Sequence, residues 1–240
     1  MTEAEWLACT DPKPMLEFVR GKVSDRKLRL FGCACCRRIW RLLTDARCRK
    51  AVEVAELHAL GLVSEEERER ALLMACDAFQ EADEDDPYAE PGADITSSLL
   101  CPSTADASHP TSFDAHEISV AAAELVAIEG SSPADEDPTG NKWERIRAGE
   151  RAVQCHLLID IIGNPFRPVS VDPSWLTLAV VKQAKAISRK RAFDRLFMLS
   201  TDLEGAGCTN ARCPSLLEHC RAPGLHVRGC WVVDLLLGKE

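Results

Sequence analysis

Absences narrow the chemistry of this chain before any residue is singled out. No stretch approaches the ~20 apolar residues that a bilayer crossing needs; the longest mostly apolar runs, Leu176 to Val181 and Trp231 to Leu237, are far shorter. Met1 to Thr10 carries two acids and no basic segment followed by an apolar one, so no secretory leader is expected. The phosphate-cradling loop G-x-x-x-x-G-K-[ST] is missing, and Gly205, Gly207 and Gly224 fit helix ends or turns instead. The G-x-S-x-G elbow of serine hydrolases is missing too. Cys155-His156 and His219-Cys220 are neighbours in sequence without a local signature of a thiol nucleophile. An enzyme with an unrecognised site therefore stays as an alternative reading, and no catalytic residue is named.

Cysteine is what the chain has in quantity. There are 12 in 240 residues. With no export signal they are expected as thiols, because a cytosol keeps them reduced, and cytoplasm is the expected compartment. Cys33, Cys35 and Cys36 resemble a ligand cluster on paper. On a helix they fan around the axis, so they are expected to be buried thiols. Composition is otherwise ordinary for a globular chain, with 46% apolar and 28% charged residues.

The net charge of −9 conceals segregation. Between Arg20 and Lys50 there are eleven Lys or Arg against two acids, whereas Glu81 to Asp94 holds seven acids and no base. Arg26, Arg37, Arg38 and Arg41 form a basic face that could meet nucleic acid phosphates or the chain's own acids. A pI near 5.3 weights the balance toward internal or protein-partner neutralisation. Lys185 to Arg195 is a second basic stretch.

Apolar residues recur at helical spacing through most of the chain. Asp11-Pro12 opens a short helix ending at Gly21. Ser24 opens another whose stripe runs Leu28, Phe31, Cys35, Ile39, Leu42. Asp45 opens a third, with His58 as a packing residue on its apolar side, and Ser64 with Glu67 makes a capping box for a fourth. Residues 81–112, with Pro87, Pro91, Gly92, Pro102 and Pro110 among acids and serines, are expected as a long exposed loop, with His109 and His116 solvated. Asp114 caps a helix through Ile128, and a polar break follows from Gly130 to Gly140. Asn141 starts a long helix that stops at Gly163, and Pro165 and Pro168 stiffen the connector after it. Pro173 is expected to open a helix through Ala184, and Phe193 to Leu203 another. The fold class is thus all-α, with about eight to ten helices and a long acidic loop. The parts are 1–80, the loop 81–112 and 113–240, the two helical parts packing as one domain.

The last thirty-odd residues concentrate Cys208, Cys213, His219, Cys220, His226 and Cys230. Zinc takes four ligands in a tetrahedron from thiolate and imidazole. His226 and Cys230 are four apart, so a helix starting near His226 would put both on one face. Two sets compete for the whole site. One is Cys208, His219, His226 and Cys230; the other replaces His219 with Cys213. Neither has a standard finger spacing, and the competing reading is that these cysteines are small buried hydrophobes. Four protein ligands would close the shell, making such a zinc structural.

Several strings resemble a bacterial protein family for which no activity is established. They include Ser24-Asp25-Arg26-Lys27-Leu28-Arg29, Ala34-Cys35-Cys36-Arg37-Arg38-Ile39-Trp40, Gly163-Asn164-Pro165-Phe166-Arg167-Pro168 and His226-Val227-Arg228-Gly229-Cys230-Trp231, with Trp6-Leu7 near the start. The resemblance covers both ends and the Gly163 connector but not the acidic middle. It implies that the two ends belong to one domain, and it brings no ligand set. The leading expectation is an intracellular adaptor or regulatory module that binds a protein partner and carries a structural zinc. A small nucleic-acid-binding protein using the 20–50 segment is the alternative.

Overall fold

In the computed structural model, which describes residues 1–101, 114–131, 141–209 and 213–239, the described chain is helical with no strand. Its twelve α-helices are α1 (Glu3–Leu7), α2 (Pro12–Val19), α3 (Asp25–Arg38), α4 (Ala46–Ala59), α5 (Glu65–Gln80), α6 (Ala89–Leu100), α7 (Ala115–Gly130), α8 (Lys142–Ile162), α9 (Leu178–Lys190), α10 (Leu196–Gly205), α11 (Pro214–Arg221) and α12 (Trp231–Leu236). Ten have seven residues or more. The all-α expectation holds.

Short polar side chains start several helices where the sequence places them, although Ser24 ahead of α3 makes no side-chain cap hydrogen bond. Asp11, Asp45 and Asp114 each accept a hydrogen bond from the backbone N–H two residues on, and Ser64 with Glu67 forms the reciprocal capping box. These caps satisfy N–H groups that a first helical turn leaves orphaned. Three boundaries differ from expectation. Helix α3 stops at Arg38, so Leu42 lies beyond it. Pro173 opens only a 3-10 turn, Pro173–Trp175, and α9 begins afresh after Thr177, whose hydroxyl accepts from Val180 N. Phe193–Arg195 is likewise a 3-10 turn ahead of α10.

The larger difference is α6, inside the stretch expected as loop. Pro91 sits in the first turn, where its missing N–H has no intrahelical duty. A Cβ added at Gly92 would lie 3.3 Å from Leu43 Cδ2, so glycine lets α6 approach closely. At the other end two buried arginines serve as the cap. Arg29 donates to Leu99 O and, at 3.0 Å, to Cys101 O, while Arg68 donates to Leu100 O. No acidic composition reveals that its last carbonyls are held from elsewhere. The remainder of that loop, 102–112 with His109, and most of the polar break, 132–140, lie outside the described residues.

The chain divides into two compact units: Ala8–Cys155 with Met1, and Thr2–Leu7 with His156–Glu240. The division falls within α8. In the first unit α6 packs on α3, α4, α5 and α7. Cys33, Cys35 and Cys36 are buried there, at 0 to 1% exposure, as expected of core thiols. Burial pushes all three thiols well above their ordinary range. His58 meets Glu65 at 3.0 Å.

In the second unit α9 packs on α10 and α12, and α11 on α10 and α12. Their shared core includes Trp175, Ile187, Leu199, Leu217 and Val232. The two ends of the chain meet in it. Trp6 is fully buried and donates Nε1–H to Gly163 O at 3.2 Å. Asn164 Nδ2 donates to Glu3 Oε1 at 2.7 Å, and Arg167 pairs with the same carboxylate. Gly163 has φ +80°, and a Cβ there would stand 3.1 Å from Trp231 Cγ. Among the described residues, no helix is long and apolar enough to cross a membrane.

Gly163→Ala is expected to destabilise by more than the about 1–2 kcal/mol of a left-handed alanine, because the indole must also move. Gly61→Ala, at φ +69° with nothing within 4 Å, should show the backbone cost alone. Urea unfolding of both variants measures the difference.

Candidate metal centre

Asp160 is a carboxylate set in an apolar run, Leu157-Leu158-Ile159-Asp160-Ile161-Ile162, near the end of α8. It is 3% exposed while Leu157, Leu158 and Ile161 are fully buried. A buried charge must be paired or hydrogen-bonded. Its partners are the imidazoles singled out in the tail. Oδ1 lies 2.7 Å from His226 Nδ1 and 3.1 Å from His219 Nε2, and Oδ2 accepts from Val227 N–H at 2.9 Å. Cys230 Sγ, fully buried, is 3.2 Å from His219 Nε2. One ligand atom from each of Asp160, His219, His226 and Cys230 falls within 4.8 Å of the others, and this group could hold a metal ion.

Three separate elements and a loop bring them together. Asp160 rides on α8 and His219 on α11. Cys230 is the residue immediately before α12. His226 is not on a helix with Cys230, as its spacing suggested. Helix α11 ends before Pro223, Gly229 takes φ +89°, and the loop between turns His226 back toward Asp160. The tip of that loop is fixed because the backbone of Val227 and the ring of His226 grip the same carboxylate. The Trp231 ring stands beside the site, 5.2 Å from that of His219, and the two histidine rings are 4.9 Å apart.

The group contains three of the four residues of the first expected set. Cys208 and Cys213, at 0% and 5% exposure, lie instead in the core of the second unit. Cys220 is in that core as well, and burial with the neighbouring Cys208 pushes its thiol up to about 12. Asp160 takes the fourth place. Its signal in the sequence was the isolated acid in an apolar run, which a search for sulfur and imidazole passes over.

Proton counting distinguishes a metal centre from a hydrogen-bond network. His219 Nε2 can carry one hydrogen, yet faces both a carboxylate oxygen and a sulfur. His226 presents Nδ1 to Asp160 and Nε2 to Ala222 O at 3.3 Å, so both nitrogens meet acceptors. Without a metal the pKa of that ring is raised, first by the Asp160 hydrogen bond and against the opposing effect of burial. Burial pushes the Asp160 carboxyl up, but the two imidazoles and Val227 N–H outweigh it and the net direction is down. Burial, then the Asp160 charge, drives the Cys230 thiol well above its ordinary range. With a divalent ion the count closes differently. One carboxylate, one thiolate and two neutral imidazoles cancel a charge of two, and His226 Nε2–H donates to Ala222 O as a ligand's second nitrogen usually does.

The dimensions agree. Bonds of 2.0 to 2.3 Å in a tetrahedron place ligand atoms about 3.4 Å apart. Three of the separations, 2.7, 3.1 and 3.2 Å, would need to open by a few tenths of an ångström, and all four ligand atoms lie within 4.8 Å of one another. The same geometry argues against a thiol nucleophile. In a catalytic triad the thiol and the carboxylate use opposite ring nitrogens, whereas here both address Nε2 of His219. The sulfur is also fully buried.

No family model, no curated protein and no solved structure matches the chain.

The basic face has a different fate. Arg37 meets Glu56 with two hydrogen bonds of 2.9 Å, Arg38 grips Glu150 the same way at 2.5 and 2.6 Å, and Arg41 pairs with Glu129. Arg26 Nε donates to Ala59 O at 2.8 Å. The acidic run contributes as well, with Arg47 on Glu81 at 2.7 Å and Thr44 on Asp86 at 2.8 Å. Segregated charge is largely returned to the chain itself.

Asp160→Ala, in the presence of a chelator, is expected to cost about 3 kcal/mol in urea unfolding, since it strips the buried partner from two imidazoles and a backbone N–H. Asp194→Ala, an exposed acid, should change the midpoint little.

Proposed function

We propose that the chain is a protein-interaction module, an adaptor or regulatory domain without catalysis of its own, whose second unit is held by one structural zinc. The observation that carries this reading is the convergence of Asp160, His219, His226 and Cys230 on one buried point. Mixed oxygen, nitrogen and sulfur donors in a four-fold set suit zinc better than the harder calcium or magnesium. Four protein ligands leave no open position for a substrate, which is the pattern of a structural site. The nucleic-acid alternative loses support because Arg37, Arg38 and Arg41 are committed to carboxylates. All twelve cysteines are free thiols, which agrees with a reducing compartment, and cytoplasm is the location we propose.

Elemental analysis of the purified protein should find one zinc per chain. Cys230→Ala and Asp160→Ala should lose it, with a sharp fall in thermal stability, while Cys208→Ala and Cys213→Ala should keep it and show only the milder cost of a core cavity. An equal, mild effect for all four, with no metal in the wild-type protein, would remove the site.

Ligand protons compete with the ion, and the Cys230 thiol holds its proton tightly. Zinc titration near neutral pH should therefore release protons to the buffer, and affinity should fall as pH falls. Calorimetry in buffers of different ionisation enthalpy reads both.

A further inference from the structure

Beside the metal centre, and sharing His226 with it, lies a groove of about 420 Å³ lined among others by Phe193, Phe197, Arg221, Pro223 and Leu225. Its apolar wall is open. Phe197 is 62% exposed and Leu225 48%, with Met198 at 59% beside them. One wall is the Ala222–His226 stretch, which the site anchors through His226 and Val227.

The approach to this groove is basic. From Lys182 to Arg195 there are six Lys or Arg and one acid, Asp194, which lies on the lining. Arg195 stands between the lining residues Asp194 and Leu196. Arg189 and Lys190 end α9 just ahead of Phe193, and Arg189 O accepts from Arg228 Nη2 at 3.2 Å, tying that helix end to the loop of the wall. Arg189, Lys190 and Arg195 are exposed and, among the described residues, pair with no carboxylate. Arg221, by contrast, is held by Glu204 at 2.5 Å. In the 20–50 segment, likewise, Arg37, Arg38, Arg41 and Arg47 are each paired with a carboxylate.

We infer that this groove docks an acidic segment of a partner protein, with apolar side chains seated on Phe197 and Leu225 and carboxylates meeting Arg189, Lys190 and Arg195. The inference rests on the interaction-module reading and names the partner's chemistry. Charge complementarity chooses the sign of the partner. Concavity and an apolar wall choose a peptide, since a bilayer surface cannot fill a groove and phosphates gain nothing from phenylalanine edges at its wall.

The test uses the full-length, zinc-loaded protein and fluorescence anisotropy. The probe is a short fluorescein-labelled peptide of Asp and Glu interleaved with Leu and Phe; a control carries Lys in place of the acids. The acidic peptide should bind at least about tenfold tighter than the basic one. Phe197→Ser should weaken it about tenfold, and Arg189→Glu with Lys190→Glu should weaken it and flatten its salt dependence. These side chains are exposed, and unchanged unfolding midpoints confirm that the variants fold. Equal binding of both peptides, or preference for phosphatidylserine vesicles or a single-stranded oligonucleotide over the acidic peptide, overturns the inference. Metal content is measured on the same samples, so a zinc-bearing protein that ignores the acidic peptide refutes the docking site and leaves the zinc reading standing.

Discussion

A carboxylate deep in an apolar helix face governs the C-terminal half. Asp160 cannot be left alone at 3% exposure, and what satisfies it determines where α11, the following loop and α12 go. Two imidazoles and one backbone N–H reach it from His219, His226 and Val227, so a single group organises contacts that hydrophobic burial alone would leave free to slide. The hydrophobic core beneath, from Trp175 to Leu236, supplies bulk stabilisation without such direction.

How much of this was legible depends on the range over which the physics acts. Helix starts are local: an Asp or Ser side chain reaches an N–H two or three residues away, so Asp11, Asp45, Ser64 and Asp114 could be read directly. The candidate metal-binding group was partly legible for a different reason. Sulfur and imidazole are conspicuous in sequence, and His219, His226 and Cys230 were found that way. Asp160 is common in type and distant in sequence, and only its misfit with five apolar neighbours marks it. The expected helix from His226 to Cys230 shows the hazard of spacing arguments, since a turn at Gly229 achieves the same convergence without helical geometry.

Helix α6 was illegible on stronger grounds. Its composition is that of a loop, with Pro91 and Gly92 in its first turn. What makes it a helix comes from outside it, from Arg29 and Arg68 on its final carbonyls and from its packing on four other helices. Tertiary partners overrule propensity where caps are supplied in trans. Much of the arginine-rich segment that looks like a polyanion footprint is then consumed by internal work, whereas Arg189, Lys190 and Arg195, on α9 and the turn after it, pair with no carboxylate among the described residues.

Trp6, buried against Gly163, has a bearing on how the molecule is made. The second unit draws on residues 2–7 and on 156–240, so it is discontinuous along the chain. A nascent polypeptide presents the Trp6 indole long before the Gly163 carbonyl that receives it has been synthesised. Until then that aromatic side chain has no native resting place, and the intervening hundred and more residues must emerge first. The later-made part of the second unit consequently completes itself by capturing a segment synthesised well before it.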